Sequence, residues 1–125
     1  MDSKITISKK YISYLSQGDL KRIVSLFTED GEVDSPLYGR MNAYDFYEEL
    51  LSDTTKSELE IKGVFEDDHS VALYFNYKWE LKNKDHVAFD VIDIIQFDDQ
   101  LKIKNLKIIY DTSKSREALN KLKKV

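Results

Sequence analysis

Val87-Ala88-Phe89-Asp90-Val91-Ile92-Asp93-Ile94-Ile95-Gln96-Phe97 is the stretch that decides the fold. In a strand, alternate side chains point to opposite faces. One face then carries Val87, Phe89, Val91, Asp93, Ile95 and Phe97, and the other carries Ala88, Asp90, Ile92, Ile94 and Gln96. A single carboxyl group therefore stands in an apolar stripe. Burying it costs several kcal/mol unless it is hydrogen-bonded or keeps its proton. Asp93 is accordingly a candidate site residue. The structural alternative is a buried aspartate satisfied by a neighbouring side chain.

Working outward, residues 71–81 alternate in the same way. Val71, Leu73, Phe75, Tyr77, Trp79 and Leu81 share one face with no charge on it. Residues 57–65 and 101–110 also read as strands, and the polar connections 66–69, 83–85 and 98–100 read as hairpin turns. Further upstream the period changes. Residues 4–17 place Ile7, Tyr11, Tyr14 and Leu15 at helical spacing, with Gly18 as the stop. Asp19 is a good cap for a second helix burying Leu20, Ile23, Val24 and Phe27, which Gly31 would close. Residues 32–39 then predict a short edge strand, stopped by Pro36 and turned near Gly39. Its alternation puts Val33 and Ser35 inward and Glu32 and Asp34 outward. A third helix is expected over 43–52, with Tyr44, Phe46, Tyr47, Leu50 and Leu51 on its apolar side and Asn42 as cap. A last helix is expected over 113–125, with Ala118, Leu119, Leu122 and Val125 on one side.

Helices followed by a run of hairpins predict an α+β fold in a single domain over residues 1–125. The helices must cover one face of a curved sheet, and a sheet bent in this way forms a cone whose apolar lining makes a pocket.

Composition narrows the function classes. The 125 residues are 42% hydrophobic and 34% charged, an ordinary balance for a globular domain. A net charge of −4 argues against nucleic acid and anionic membranes as main partners. The basic side chains of 113–125 read as a solvated helix face, since no base-stacking aromatics accompany them. The absence of cysteine excludes disulfides, thiolate nucleophiles and thiolate metal sites. The longest apolar run is 71–75, and the first residues hold no apolar leader, so no membrane span or secretory signal is expected and a cytoplasmic location follows. His69 and His86 lack ligand spacing, and the glycines are scattered, so neither a metal nor a nucleotide cofactor is expected.

The stretch Tyr11-Ile12-Ser13-Tyr14-Leu15-Ser16-Gln17-Gly18-Asp19-Leu20-Lys21-Arg22-Ile23-Val24-Ser25-Leu26-Phe27-Thr28-Glu29-Asp30 resembles the opening of the ketosteroid isomerases. These belong to the nuclear transport factor 2-like superfamily, which includes the SnoaL-like proteins. Val33-Asp34-Ser35-Pro36, Ile92-Asp93-Ile94-Ile95-Gln96-Phe97 and Ile109-Tyr110-Asp111 fall where that family has its counterparts, so the resemblance spans roughly residues 5–112. It implies a cystatin-like α+β cone, with a mixed but mostly antiparallel sheet wrapped around the N-terminal helices. It also implies a homodimer, for which the outward strand face Tyr74, Asn76, Ile92 and Ile94 is suitably apolar.

For chemistry the resemblance has two halves. In ketosteroid isomerases a first-helix tyrosine and a protonated aspartic acid on a late strand donate hydrogen bonds to a developing enolate oxygen. Tyr11 and Asp93 match these. The family's general base is an aspartate immediately before a proline, and here Ser35 occupies that place. Asp34 is the nearest carboxylate, and only a bulge would turn it inward. The carboxylate–arginine–carboxylate relay of epoxide hydrolases of this fold is not matched, because Arg22, Arg40 and Arg116 all fall outside the predicted strands.

The expected ligand is a small, largely apolar molecule with a carbonyl or phenolic oxygen. Tyr11 and Asp93 would hold that oxygen, with Ser35, Phe75, Tyr77, Trp79, Phe89 and Val91 around it. If the chain is an enzyme, isomerase- or lyase-like proton transfer through Asp34 is the reaction expected. The alternatives are a non-catalytic ligand-binding or dimerisation module, and a Tyr11–Asp93 hydrogen bond that merely ties the first helix to the sheet.

Overall fold

The computed structural model describes residues 3–123. Helices α1 (Lys4–Gln17) and α2 (Leu20–Ser25) lead into β1 (Phe27–Ser35) and β2 (Gly39–Asn42), and α3 (Ala43–Ser52) follows. Four longer strands come next: β3 (Thr54–Glu66), β4 (Ser70–Leu81), β5 (His86–Phe97) and β6 (Ile103–Ile109). The chain closes with α4 (Ser113–Lys123). Lys124 and Val125, assigned above to this helix, lie outside the described residues.

The six strands form one sheet in the order β2-β1-β6-β5-β4-β3. Every neighbouring pair is antiparallel except β1 and β6, which run parallel. This is the mixed, mostly antiparallel α+β arrangement that the helices-then-hairpins pattern implies. α1 packs on β3 and β4, while α3 packs on β1, β2 and β3, so the sheet curls around the helices. The core lies between the two layers and includes the inward residues Val71, Leu73, Phe75, Trp79, Val91, Ile95 and Phe97.

Local chemistry sets the helix ends. Ser3, Asp19 and Asn42 each accept a backbone N–H of the following first turn. Gly18 ends α1 at φ 68°, the left-handed conformation that costs glycine no steric penalty.

The structure corrects two expectations around β1. The second helix stops at Ser25 and Phe27 begins a strand, so Gly31 closes no helix. Gly31 sits instead where the β1–β6 register shifts, between Phe27 and Glu32. A side chain there would meet the Phe27 ring at 3.0 Å and the Ile103 carbonyl oxygen at 3.1 Å, so the close approach of β6 demands glycine. Nor is the strand through residues 32–35 an edge: β2, only four residues long, pairs outside it. Pro36 is kept out of the ladder by lying in the turn between β1 and β2.

Candidate functional site

Between the helices and the inner sheet face lies a cavity of about 50 Å³. Its walls are mostly apolar: Leu15, Leu37, Phe46, Leu50, Phe75, Trp79, Phe89, Val91 and Ile108. Tyr11, Ser35, Tyr38, Tyr77, Tyr110 and Asp93 bring polar atoms to it. All the predicted ligand-binding positions, Ser35, Phe75, Tyr77, Trp79, Phe89 and Val91, lie on this wall, as do Tyr11 and Asp93.

Asp93 is placed by strand register. It sits in β5 directly between Leu73 of β4 and Ile108 of β6. Its side chain is 1% exposed. Oδ1 is buried without a hydrogen-bond partner among the described residues. Burial alone pushes its pKa well above the ordinary value near 3.8, which favours the neutral acid. A neutral carboxyl group at this point is a hydrogen-bond donor facing an apolar chamber.

Tyr11 comes from the buried face of α1, and its hydroxyl is 2.6 Å from that of Tyr47 on α3. The two rings meet edge to face with centroids 5.9 Å apart. Burial first, and then the closeness of the ionisable Tyr47 and Asp93, hold the Tyr11 phenol well above its usual range. Tyr47 is raised chiefly by burial, against a lowering from its bond to Tyr11. Both phenols thus stay neutral. The Tyr11 hydroxyl is committed to Tyr47, so the expectation of a Tyr11–Asp93 hydrogen bond tying the first helix to the sheet is not met.

Ser35 ends β1, and its Oγ accepts from the backbone N–H groups of Leu37 and Tyr38 at 3.1 and 3.0 Å. With both lone pairs engaged, the hydroxyl has only its proton left to offer. Ser35 is therefore a donor and not a base. Asp34 keeps strict alternation on the outer side of β1, in register with Arg40 of β2 and Lys107 of β6, and is not part of the cavity wall. The irregularity in β1 lies upstream of it, between Phe27 and Glu32, and does not turn it inward. This corrects the expectation that Asp34 could serve as the base.

Arg40 proves to lie on a strand, contrary to expectation. Its Nε donates to Glu32 Oε1 at 3.1 Å on the exposed face, so it still supplies no inward arginine. His69 and His86 are both exposed, and among the described residues no cluster of three metal-capable side chains occurs.

Three tyrosines at the site are not assigned to it by the sequence. Tyr47 was placed on the apolar side of its helix, a signal for burial but not for its partner. Tyr38 lies beyond Pro36, where alternation stops being informative; its hydroxyl donates to Asp53 Oδ2 at 2.8 Å. Tyr110 follows Ile108 at strand spacing, which could have placed it inside. Phe89 stacks between Tyr110 and Tyr77, with centroids 4.4 and 5.6 Å away, and the three rings together form one part of the cavity wall.

A cavity lined by neutral donors in a curved α+β sheet defines the class. A family model for the SnoaL-like domain matches residues 9–105, and the chain belongs to that family. Solved structures of the same fold include a proposed SnoaL-like polyketide cyclase from Shewanella putrefaciens CN-32. It is 16% identical with a TM-score of 0.77, covering 97% of this chain and 88% of that one. An NTF2-like protein of unknown function from Burkholderia pseudomallei K96243 is 12% identical with a TM-score of 0.82, covering 94% and 97%. TerC, co-crystallised with polyporic acid, is 16% identical with a TM-score of 0.80, covering 94% and 98%. At these identities the likeness is one of fold. No curated protein matches the chain. Among the described residues, no helix is long and apolar enough to cross a membrane.

Proposed function

We propose that this protein binds a small, largely apolar molecule through a carbonyl or phenolic oxygen, with Asp93 and Tyr11 as the groups that hold it. The observation carrying this reading is Asp93 Oδ1, buried beside a cavity with no hydrogen-bond partner among the described residues. A buried polar atom without a partner costs about 1–3 kcal/mol, and a ligand oxygen in the cavity would recover that cost. TerC, which shares the fold, was co-crystallised with polyporic acid, and this supports a small molecule as the kind of partner to test here.

Binding without proton transfer between carbons is the favoured form of this reading. Ser35 has its lone pairs occupied and Asp34 faces away, so neither the position before Pro36 nor its neighbour offers a base to the cavity. 4-Nitrophenol tests it by calorimetric titration. Saturable binding is expected, and Asp93→Asn, which replaces the carboxyl O–H by a weaker amide donor, should weaken it about tenfold. Heat of dilution alone, in both proteins, would count against a phenol- or carbonyl-binding site.

A homodimer belongs to the same proposal. The outer sheet face aligns Tyr74, Ile92 and Ile109 across three strands. Ile92 and Ile109 are 40% and 46% exposed. A second copy laid on this stripe would cover it isologously. Sedimentation equilibrium should give twice the chain mass, and Ile92→Glu should halve it. A monomeric parent protein would leave this stripe as ordinary surface.

A further inference from the structure

We propose that α4 is a movable lid on the cavity, and that ligand enters when its ties to the turn at residues 36–38 and to Tyr110 open. This rests on the reading that the cavity binds a ligand.

Size is the first ground. The cavity measures about 50 Å³, whereas a cavity that admits one benzene ring is about 150 Å³. A phenol does not enter the chamber as it stands, so some part of the wall must give way.

The open side is identifiable. Leu37, Tyr38, Phe89, Ile108 and Tyr110 are the wall residues that retain partial exposure. α4 supplies no wall residue among those described, but it is tied to this side near both of its ends. Ser115 Oγ donates to the Tyr110 hydroxyl at 3.2 Å, and Arg116 Nη2 donates to the Pro36 carbonyl oxygen at 2.6 Å. At the far end Lys123 Nζ donates to Asp53 Oδ1 at 2.7 Å, and the other oxygen of Asp53 accepts from Tyr38. One buried carboxylate thus fastens both the helix and the turn.

The same helix is the weakest part of the wall's support. α4 buries only Ser115, Ala118 and Leu119 of its eleven residues. α1 buries Ile7, Ser8, Tyr11, Ile12 and Leu15, and α3 buries Ala43, Phe46, Tyr47 and Leu50. A helix of this length has little stability of its own, and its ion pair to Asp53 is made by a Lys123 side chain that is half exposed. Local opening of α4 should therefore need much less free energy than global unfolding. Its release frees Tyr110 and Tyr38, and with Tyr110 the Phe89 ring stacked on it in the wall.

Trp79 reports on this directly, since it is the sole tryptophan, lines the cavity and is 2% exposed. In the full chain, Arg116→Ala with Lys123→Met should raise the rate constant for acrylamide quenching of Trp79 at least about threefold. It should raise the stopped-flow association rate of 4-nitrophenol by a similar factor. An unchanged quenching constant, in a variant whose circular dichroism matches the parent, overturns the lid whether or not 4-nitrophenol binds. Faster quenching without 4-nitrophenol binding in either protein supports the lid and rejects the ligand reading. Equal association rates where both proteins bind overturn α4 as the entry path. Should the double variant fail to fold, hydrogen exchange on the parent protein decides. α4 amides exchanging well before those of β4 support the lid, and equal protection overturns it.

Discussion

Asp93→Leu is expected to raise the stability of the protein by about 1–3 kcal/mol while abolishing its affinity for a phenol. The gain comes from removing a buried oxygen that has no partner among the described residues. Leucine is bulkier than aspartate, and the adjoining cavity of about 50 Å³ gives its extra methyl groups room without overpacking. At roughly 4 °C per kcal/mol for a domain of this size, the melting temperature should rise measurably.

The pH dependence should change as well. Asp93 has a raised pKa in the folded chain, so the native state keeps a proton that the unfolded chain releases above the ordinary value near 3.8. Where the folded state binds more protons, stability falls as pH rises. The Asp93 contribution is thus intact below about 3.8 and is lost progressively as pH climbs toward the raised value. Urea melts across that window should show the decline in the parent protein and a flatter profile in Asp93→Leu. A leucine variant that melts lower than the parent, with the same pH slope, would mean that Asp93 has an undetected partner.

The second large effect concerns the phenol pair. Tyr11→Phe takes from the buried Tyr47 hydroxyl its partner at 2.6 Å, and Tyr47→Phe does the same to Tyr11. Each single change should cost about 1–3 kcal/mol. The double change removes both hydroxyls together and should cost less than the sum, with a coupling of about 1–2 kcal/mol. The two singles should separate in binding. With ligand present, Tyr11 gives its proton to the ligand oxygen and accepts from Tyr47, so Tyr11→Phe removes a direct contact. Tyr47→Phe only weakens the donor behind it. Additive stabilities would show that the two hydroxyls act independently.

The inward and outward faces of β4 and β5 were legible in the sequence because period-two alternation survives over eleven or more residues. Asp93 stood out for the same reason, and the facing of Ser35 and Asp34 followed from Val33 alone. The caps at Asp19 and Asn42 were legible because a side-chain oxygen at that position has only one good use. Gly31 was misread because glycine after Thr-Glu-Asp signals a helix end as readily as a close backbone approach. The latter depends on Ile103, seventy residues downstream. The short β2 escaped because four residues carry too little periodicity. The Tyr11–Tyr47 bond was invisible because it depends on the relative placement of two helices, each of which declares only its own apolar side. Cavity size was equally out of reach, since it depends on how Phe89, Tyr110 and Tyr77 stack.

The parallel seam between β1 and β6 has a consequence for synthesis. Residues 27–34 take their permanent partner from residues 103–107, almost the last part of the sheet to leave the ribosome. Until then β1 has only the short β2 beside it, and the inner wall around Ser35 has no opposite side. Contacts so distant along the chain form late and slowly. The nascent polypeptide must therefore keep its apolar helices out of trouble for most of its own translation, and the chamber comes into being in one closing step.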